Sequence, residues 1–293
     1  MPGYTLPDGV TLKNKLGLDD PDELDRAEAA LVSARYDEID AGAGPSGQFD
    51  AEHLKAIHQH LFQDVYEWAG HTRDERTTLS DGTVATEPIL SKPEGRSFLV
   101  GPAIPAALDV FGARLHEADN LHGLSREAFA EQAADVMTEL NDIHPFREGN
   151  GRTQRVFMEQ LAHNAGHDLD FTVVSGERMI QASIAAHERG DPSIMRRMFA
   201  EISDPARSAL LRDSITALER LDFDWNRHYI ATLAPGRSVD LVFAGAAGDY
   251  FMARTDTEIL FGKASDLPEP HPERGATFTV TPSAYAQNSP GGS

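Results

Sequence analysis

The segment 144–155, His-Pro-Phe-Arg-Glu-Gly-Asn-Gly-Arg-Thr-Gln-Arg, constrains the fold more than any other part of this sequence. Apolar residues recur at helical spacing on both sides of it, which predicts one helix over 125–143 and another over 150–166. Pro145 cannot continue the first helix, and it biases His144 away from the α-helical conformation. The chain is therefore expected to turn sharply between two helices at this point.

The start of the second predicted helix has the composition of a phosphate site. Gly149 and Gly151 allow main-chain N–H groups to converge, and the helix N-terminus adds the positive end of its dipole. Arg152 and Arg155 are three residues apart, so both side chains can project from one face of the first turns. This pattern predicts a site for a polyphosphate.

The other polar residues of the segment suit phosphorus chemistry. Glu148 can hold Mg²⁺ through a carboxylate oxygen beside a polyphosphate, and Asn150 can donate an amide N–H to a phosphate oxygen. His144 is the only nearby group that titrates near neutral pH, which makes it the candidate general base. Taken singly, each is more often an ordinary loop residue. A catalytic site is favoured because twelve residues contain a main-chain anion site, a candidate base, a candidate metal ligand and two cations.

The same segment resembles the complete signature of the Fic family, H-P-F-x-[D/E]-G-N-G-R-x-x-R, at every fixed position. The resemblance covers about 20–202. It implies a mainly α fold, a Fic helical bundle with a β-hairpin flap. It also implies a protein adenylyltransferase, which transfers AMP from ATP to a hydroxyl side chain of a target protein. Related kinases of this fold carry Lys in place of the final Gly-Arg, so Gly151-Arg152 favours nucleotide transfer. A Fic-fold transferase that uses another donor, such as UMP or phosphocholine, and a catalytically silent interaction module stay open as alternatives.

The resemblance implies a role for each site residue. His144 is then the base that deprotonates the target hydroxyl, Glu148 the metal ligand and Asn150 the contact to the α-phosphate. The implied nucleotide-binding set is Arg147, Gly149, Asn150, Gly151, Arg152, Arg155, Leu90, Ser91 and Lys92. ATP is the implied co-substrate, with Mg²⁺ or Mn²⁺ as cofactor.

Turn-forming residues over 72–101 predict one or two β-hairpins before the motif. The stretch at about 86–100 resembles the family's flap, which pairs with a segment of the target protein and covers the nucleotide. A purely structural hairpin is the alternative interpretation.

Composition and periodicity divide the chain into five parts. They are an irregular lead-in (1–20), a Fic domain (21–206), a connecting helix (207–222), a small β domain (223–284) and a linker-like tail (285–293). Short strand-like segments in the β domain predict a barrel of the oligonucleotide-binding type. Helices are also predicted at 21–40 and 50–69. The second carries His53, His58 and His60, which we interpret as ordinary histidines because no further ligand completes a metal site.

The chain has 26 Lys and Arg against 47 Asp and Glu, a formal charge of −21. A nucleic-acid backbone would be repelled by this charge, and no basic run offsets it, so we expect no nucleic-acid partner. The absence of cysteine excludes disulfides, thiolate metal sites and cysteine nucleophiles. No apolar stretch approaches the roughly 18 residues that span a bilayer, so we expect no membrane segment.

Two further features carry a narrower resemblance. The stretch Asn14-Lys15-Leu16-Gly17-Leu18 and the β domain with Trp225 are similar to Bartonella effector proteins and to conjugation-linked Fic toxins. This implies a protein of the bacterial cytoplasm that type IV secretion can carry into a host or recipient cell.

Regulation is predicted from a missing motif. Many Fic proteins are silenced by a helix with the pattern [S/T]-x-x-x-E-[G/N], whose glutamate pairs with the second arginine of the signature, here Arg155. Glu precedes Gly or Asn only at Glu94 and Glu148, and neither has Ser or Thr four residues earlier. We therefore expect a small separate antitoxin that supplies the glutamate in trans.

Overall fold

The fold is known from a computed structural model, which describes residues 3–90 and 98–285. The helices are α1 (Pro21–Glu38), α2 (Ala51–Phe62), α3 (Ile104–Glu117), α4 (Arg126–Ile143), α5 (Asn150–Asn164), α6 (Gly176–Arg189), α7 (Ser193–Ile202) and α8 (Pro205–Glu219). The strands are β1 (Thr77–Thr78), β2 (Val84–Ala85), β3 (Tyr229–Thr232), β4 (Val239–Ala247), β5 (Tyr250–Arg254), β6 (Glu258–Lys263) and β7 (Thr277–Val280). Within these ranges no helix combines the length and the apolar character needed to cross a bilayer.

The helices begin where the local sequence offers a cap. Asp20, Asp50, Ser175 and Asp204 each accept hydrogen bonds from main-chain N–H groups of the following first turn. The second helix is the exception to the predicted bounds, because α2 ends at Phe62 although the apolar spacing continues to 69. Beyond Phe62 the chain forms turns that keep Val65 and Trp68 fully buried, so the spacing there reflects burial and not a helix.

The chain divides into two compact units. The first contains Met1–Leu124 and Asp135–Gly166, and the second contains Ser125–Ala134 and His167–Ser293. In the first unit α2 packs against α1, α3 and α5. A short antiparallel hairpin of β1 and β2 precedes the motif, in agreement with the turn signals of that stretch. The predicted domain boundary near 207 stays a prediction.

The second unit contains a five-stranded sheet in the order β3-β6-β5-β4-β7. The β3–β6 pair is parallel and the other pairs are antiparallel. One face carries an apolar core that includes Leu241, Phe251 and Phe278. Strands β3 and β7 lie at opposite edges and do not pair within the part of the chain that the structure describes. The closed barrel predicted from the sequence is therefore wrong. Helices α6, α7 and α8 contact β3 and cover the edge that a closing strand would need.

Candidate active site

The predicted turn between two helices is present at the motif. Helix α4 ends at Ile143, where the His144 N–H donates to the Leu140 carbonyl over 3.0 Å, and α5 begins at Asn150. His144 has a φ of +46°, a left-handed conformation that is uncommon for a residue with a side chain. Pro145 disfavours the helical conformation for His144, and the chain leaves the helix by reversing its hand at this residue.

The two glycines of the loop have different physical roles. Gly149 caps α5 at a φ of +82°, and a Cβ built there would lie 2.3 Å from the Phe62 ring, so only glycine fits. Gly151 has ordinary helical geometry, and a Cβ there would meet no atom within 4 Å. The first glycine is required by packing. The second leaves open space beside the first turn of α5, where a ligand can approach the main chain.

The side chain of Asn150 has a structural task, and the phosphate contact that the sequence suggests stays a prediction. Its side chain is buried, its Oδ1 accepts from the Phe146 N–H over 2.9 Å, and its Nδ2 donates to the Phe146 carbonyl over 2.8 Å. The amide therefore closes the loop on itself. What Asn150 can direct at an anion is mainly its main-chain N–H at the start of α5.

His58 is a residue of the site that sequence reasoning set aside as ordinary. It is completely buried, and its ring stacks on Phe146 with centroids 3.9 Å apart. The Gly70 N–H donates to its Nδ1 over 2.8 Å, so the proton must be on Nε2, which lies 3.0 Å from the Glu148 carbonyl. Burial lowers the pKa of His58 to about 3, so the ring is neutral. His58 thus packs against the motif at Phe146 and Glu148, and only the tertiary structure reveals this supporting role.

The imidazole of the candidate base is held between two elements. The His144 ring stacks on Phe98, with centroids 3.8 Å apart and planes 8° from parallel. The His144 carbonyl accepts from Arg73 Nε over 2.9 Å. Both the ring and the backbone of His144 are therefore fixed before any substrate binds.

Glu148 is suited to bind magnesium, although the described residues supply few other metal ligands. Its carboxylate is 44% exposed, and its Oε1 accepts from the Gly149 N–H over 2.8 Å. No cluster of three or more His, Asp or Glu side chains suited to a metal is present in residues 3–90 and 98–285. Mg²⁺ is commonly held by one or two carboxylates together with substrate phosphates and water, so one exposed carboxylate is the donor set expected for a metal that arrives with a nucleotide.

Arg152 is held by one neighbour in the motif and by two partners far away in the sequence. Its Nη2 lies 2.5 Å from Glu28 of α1 and 3.3 Å from Glu148, and its guanidinium lies 4.7 Å from the centre of the Phe62 ring. Glu28 is itself buried and accepts a hydrogen bond from the Tyr66 hydroxyl. Burial and the Glu28 carboxylate both raise the pKa of Tyr66, which keeps the phenol protonated.

The other two arginines of the motif differ in their surroundings. Arg147 forms an ion pair with Glu87, so it is committed to the first residues of the predicted flap. The Nε of Arg155 is buried and has no acceptor among the described residues. Arg155 thus has a buried donor that no described residue satisfies.

A polar cavity of about 550 Å³ lies beside the loop, within the first unit. Arg147, Glu148 and Arg152 line it on one side, and residues of α1 and of the N-terminal stretch line the other. Two residues predicted to meet the nucleotide, Arg147 and Arg152, and the predicted metal ligand Glu148 therefore line one cavity of mixed charge.

The predicted flap residues lie at the edge of what the structure describes. Leu90 is half-buried, and its carbonyl accepts from the Phe98 N–H over 3.2 Å, so the two ends of that stretch are paired. Ser91 and Lys92 lie outside the described residues, and their predicted contacts to nucleotide stay predictions.

Comparisons with known proteins agree on one family. A sequence model of the Fic/DOC family matches residues 48–162. The chain is 34% identical over 272 residues to a protein adenylyltransferase of Bartonella henselae, covering 90% of this chain and 49% of that protein. The solved structure of the type IV secretion system effector protein BepA superimposes with a TM-score of 0.88 at 32% identity, covering 97% of both chains. The BepC protein of Bartonella tribocorum, a VirB-translocated effector solved with bound AMPPNP, gives a TM-score of 0.66 at 40% identity, covering 69% of this chain and 96% of that one. The chain belongs to the Fic/DOC family.

The chain spans about half the length of the curated Bartonella relative that it matches. The near-complete overlap with the solved BepA chain covers both units. Family and fold are thereby established for the whole described chain, and the activity is argued below.

Proposed function

We propose that this chain is a protein adenylyltransferase that moves AMP from ATP to a hydroxyl group of another protein. The observation that carries the proposal is the loop 144–151 at the head of α5. There a fixed imidazole, an open approach beside Gly151 and the arginines of the motif occur together. A Bartonella relative that is similar over most of the chain is a protein adenylyltransferase by name, and the similar BepC protein was solved with an ATP analogue bound.

The chemistry follows from the residues present. His144 takes the proton of the target hydroxyl while that oxygen attacks the α-phosphorus of ATP, and pyrophosphate leaves with the electron pair of the broken P–O bond. The main-chain N–H groups at the start of α5 stabilise the charge that develops on the α-phosphate. Arg152, held in place by Glu28, and Arg155 neutralise the outer phosphates.

Glu148 is the residue that would hold Mg²⁺ or Mn²⁺. The bound ion would neutralise phosphate charge as pyrophosphate departs. Glu148→Ala should lower the transfer rate and weaken its dependence on added Mg²⁺. Full activity of the wild type in excess EDTA would exclude the metal.

The decisive experiment offers the purified chain several labelled donors in a cell lysate. We expect an adduct of AMP mass on a Ser, Thr or Tyr hydroxyl with ATP. An adduct of UMP or phosphocholine mass would show that the chain is a transferase with a different donor. The absence of an adduct from any donor would favour a catalytically silent interaction module. His144→Ala should lower transfer by at least about 100-fold while AMPPNP still binds. His116→Ala, on the exposed face of α3, is the matched control and should leave the rate unchanged.

We further propose that a small antitoxin protein silences this site through Arg155. The unsatisfied Nε of Arg155 supports this, because a carboxylate arriving there gains a charge-assisted hydrogen bond that no described residue provides. The isolated chain should then modify its target without any activating mutation. A partner with the [S/T]-x-x-x-E-[G/N] helix should suppress transfer, and replacing that glutamate by glycine should restore it. An inert wild-type chain with a proven target would place the inhibition within the chain.

Two partners follow from the relatives and remain proposals. The target protein would dock along the predicted flap at about 86–100, and type IV secretion would deliver the protein into a host or recipient cell. A reporter fused to the full-length protein, assayed in strains with and without a type IV secretion system, tests delivery. Replacement of Leu90 by Asp tests docking through KM for the target.

A further inference from the structure

Arg73 is a completely buried arginine whose guanidinium, among the described residues, donates only to main-chain carbonyl groups. Its Nε donates to His144 over 2.9 Å. Its Nη1 donates to Pro88 over 2.9 Å and to Glu87 over 3.3 Å, and its Nη2 donates to Leu99. In the part of the chain that the structure describes, no carboxylate forms an ion pair with it. Arg73 therefore holds backbone, not another side chain.

The carbonyl groups that Arg73 holds belong to two segments that meet at the candidate base. On one side, its Nε bonds His144, and its main-chain N–H donates to the Pro145 carbonyl over 2.8 Å. On the other side, it bonds Leu99, which directly follows Phe98, the residue whose ring stacks on His144. The Arg73 side chain thus forms hydrogen bonds both with the backbone of His144 and with the segment that carries Phe98.

His144 needs such support because its backbone is in a conformation that residues with a Cβ seldom adopt. The φ of +46° persists only where the surroundings over-determine it. Two consecutive carbonyl groups, those of His144 and Pro145, are both hydrogen-bonded to Arg73. Those two bonds leave the loop little freedom to relax into an extended conformation.

The part of the loop that faces the nucleotide is held by other residues. Asn150 bonds the main chain of Phe146, and His58 lies against the Glu148 carbonyl. Arg73 makes no contact with that part in the described chain. The main chain at Phe146 and Glu148 is therefore held by residues other than Arg73, whereas the carbonyl groups of His144 and Pro145 are held by Arg73.

We propose that Arg73 is a positioning residue for AMP transfer, which locks the His144 imidazole against Phe98 in the orientation from which it takes the proton of the target hydroxyl. The inference rests on the proposed role of His144 as the base. It assigns Arg73 to the rate of the transfer step and not to the affinity for nucleotide.

The first test compares Arg73→Met with Arg73→Lys. Methionine keeps an unbranched side chain as far as the position of Nε and removes every donor, so kcat should fall about 100-fold, the usual effect of a misplaced catalytic group. The affinity for AMPPNP, measured by calorimetry, should be unchanged. Lysine keeps the charge but lacks the planar guanidinium group, so the kcat of Arg73→Lys should lie between those of the wild type and of Arg73→Met. Equal loss of kcat and of AMPPNP affinity would overturn the proposal, since it would indicate general damage.

The second test is a double-mutant cycle between Arg73 and Phe98. If Arg73 acts through the stacked ring, Arg73→Met should cost roughly tenfold less in kcat when Phe98 is already Leu. Phe111→Leu is the matched control. Phe111 is a fully buried phenylalanine of the same unit that packs on Phe157, and its effect should multiply with that of Arg73→Met. Multiplicative effects in both cycles would contradict the proposal. If Arg73→Met does not fold, Arg73→Lys takes its place in the cycle.

A third measurement does not need activity. Stacking on Phe98 should shift the ring protons of His144 upfield in the NMR spectrum, and Phe98→Leu assigns the shifted signals by removing them. Arg73→Met should move the same signals toward the chemical shifts of a histidine ring that is not stacked. Unchanged chemical shifts would contradict the proposal that Arg73 holds the His144 ring against Phe98. If the wild type transfers no AMP, the proposed function fails, while this measurement still decides the role of Arg73.

Discussion

Each compact unit of this chain buries an arginine completely, and the groups that accept hydrogen bonds from the two guanidinium groups differ in kind. Arg73 of the first unit donates to main-chain carbonyl groups. Arg178 of the second unit pairs with the carboxylate of Glu201, which is also completely buried. The first arrangement fixes the course of the backbone, and the second joins side chains of neighbouring helices.

The ion pair of the second unit is the centre of a larger network. Glu201 also lies 3.4 Å from Arg207 and accepts from the N–H and hydroxyl of Thr232. Burial by itself raises the pKa of Glu201, but Arg178, Arg207 and Thr232 lower it below its usual value. The network joins α6, α7, α8 and β3, so its effect is to hold helices on the sheet.

The first unit uses polar side chains to shape main chain throughout the motif. Besides Arg73, the side chains of His58 and Asn150 contact loop backbone, and Gln154 donates to the Leu140 carbonyl over 3.0 Å. A site that presents main-chain N–H groups needs the backbone itself held still. The difference between the units is therefore between positioning for chemistry and stability of a core.

The largest effect is expected from Glu201→Gln. The change leaves two buried guanidinium groups without a carboxylate, and it should destabilise the second unit by about 4 kcal/mol. Hydrogen exchange measured by mass spectrometry should show loss of protection in peptides of α7 and β3. The control is Glu258→Gln, which removes the half-buried partner of Arg197 and should cost less than about 1 kcal/mol. Equal losses of stability in the two variants would show that the buried network stabilises the second unit no more than a half-buried ion pair does.

A somewhat smaller effect is expected from Gly149→Ala. Its φ of +82° and the clash with the Phe62 ring together should cost about 3 kcal/mol and abolish AMPPNP binding. Gly166→Ala is the matched control, since Gly166 has a φ of +81° with no atom in the way. It should cost about 1–2 kcal/mol, the backbone strain alone. Urea unfolding of both variants gives the difference that belongs to Phe62.

The first unit should also be sensitive to acid through His58. The pKa of His58 is near 3 in the fold and about 6.5 in an unfolded chain, so the unfolded state binds more protons at mildly acidic pH. The stability that His58 contributes is therefore complete above pH 6.5 and is lost as the pH falls toward 3. Between pH 7 and 5 the wild type should lose about 2 kcal/mol more than His58→Gln. Parallel losses in the two proteins would mean that His58 is protonated or exposed in the fold.

The smallest effect on stability, and the most specific for ligand, is expected from Gly151→Ala. Alanine is favoured over glycine within a helix, and nothing obstructs its Cβ, so stability should stay constant or rise by up to about 1 kcal/mol. The methyl group occupies the open space beside the first turn, so AMPPNP affinity should fall. Unchanged affinity would show that no phosphate approaches the main chain at this position.

Local chemistry predicted much of what the structure contains. Apolar spacing predicted α1, α4 and α5 within a few residues, because this signal depends on neighbours along the chain, but it extended α2 seven residues too far. The turn at Pro145 and the start of α5 follow from the fixed geometry of proline and glycine. The same local signals predicted the strands of the second unit but not their arrangement, and so the expected barrel proved to be an open sheet.

By itself, the sequence determined that the chain turns at residues 144–149 between two helices, because each residue there acts on its immediate neighbours. Only the tertiary structure decided what holds that loop. Arg73 reaches His144 across 71 positions, His58 reaches Glu148 across 90, and Glu28 pairs with Arg152 from another helix. No local pattern encodes such partners, since they meet only when α1 and α2 and the stretch after them pack around α5. The chemistry is therefore readable from one segment, while its orientation is set by buried polar side chains distant in sequence.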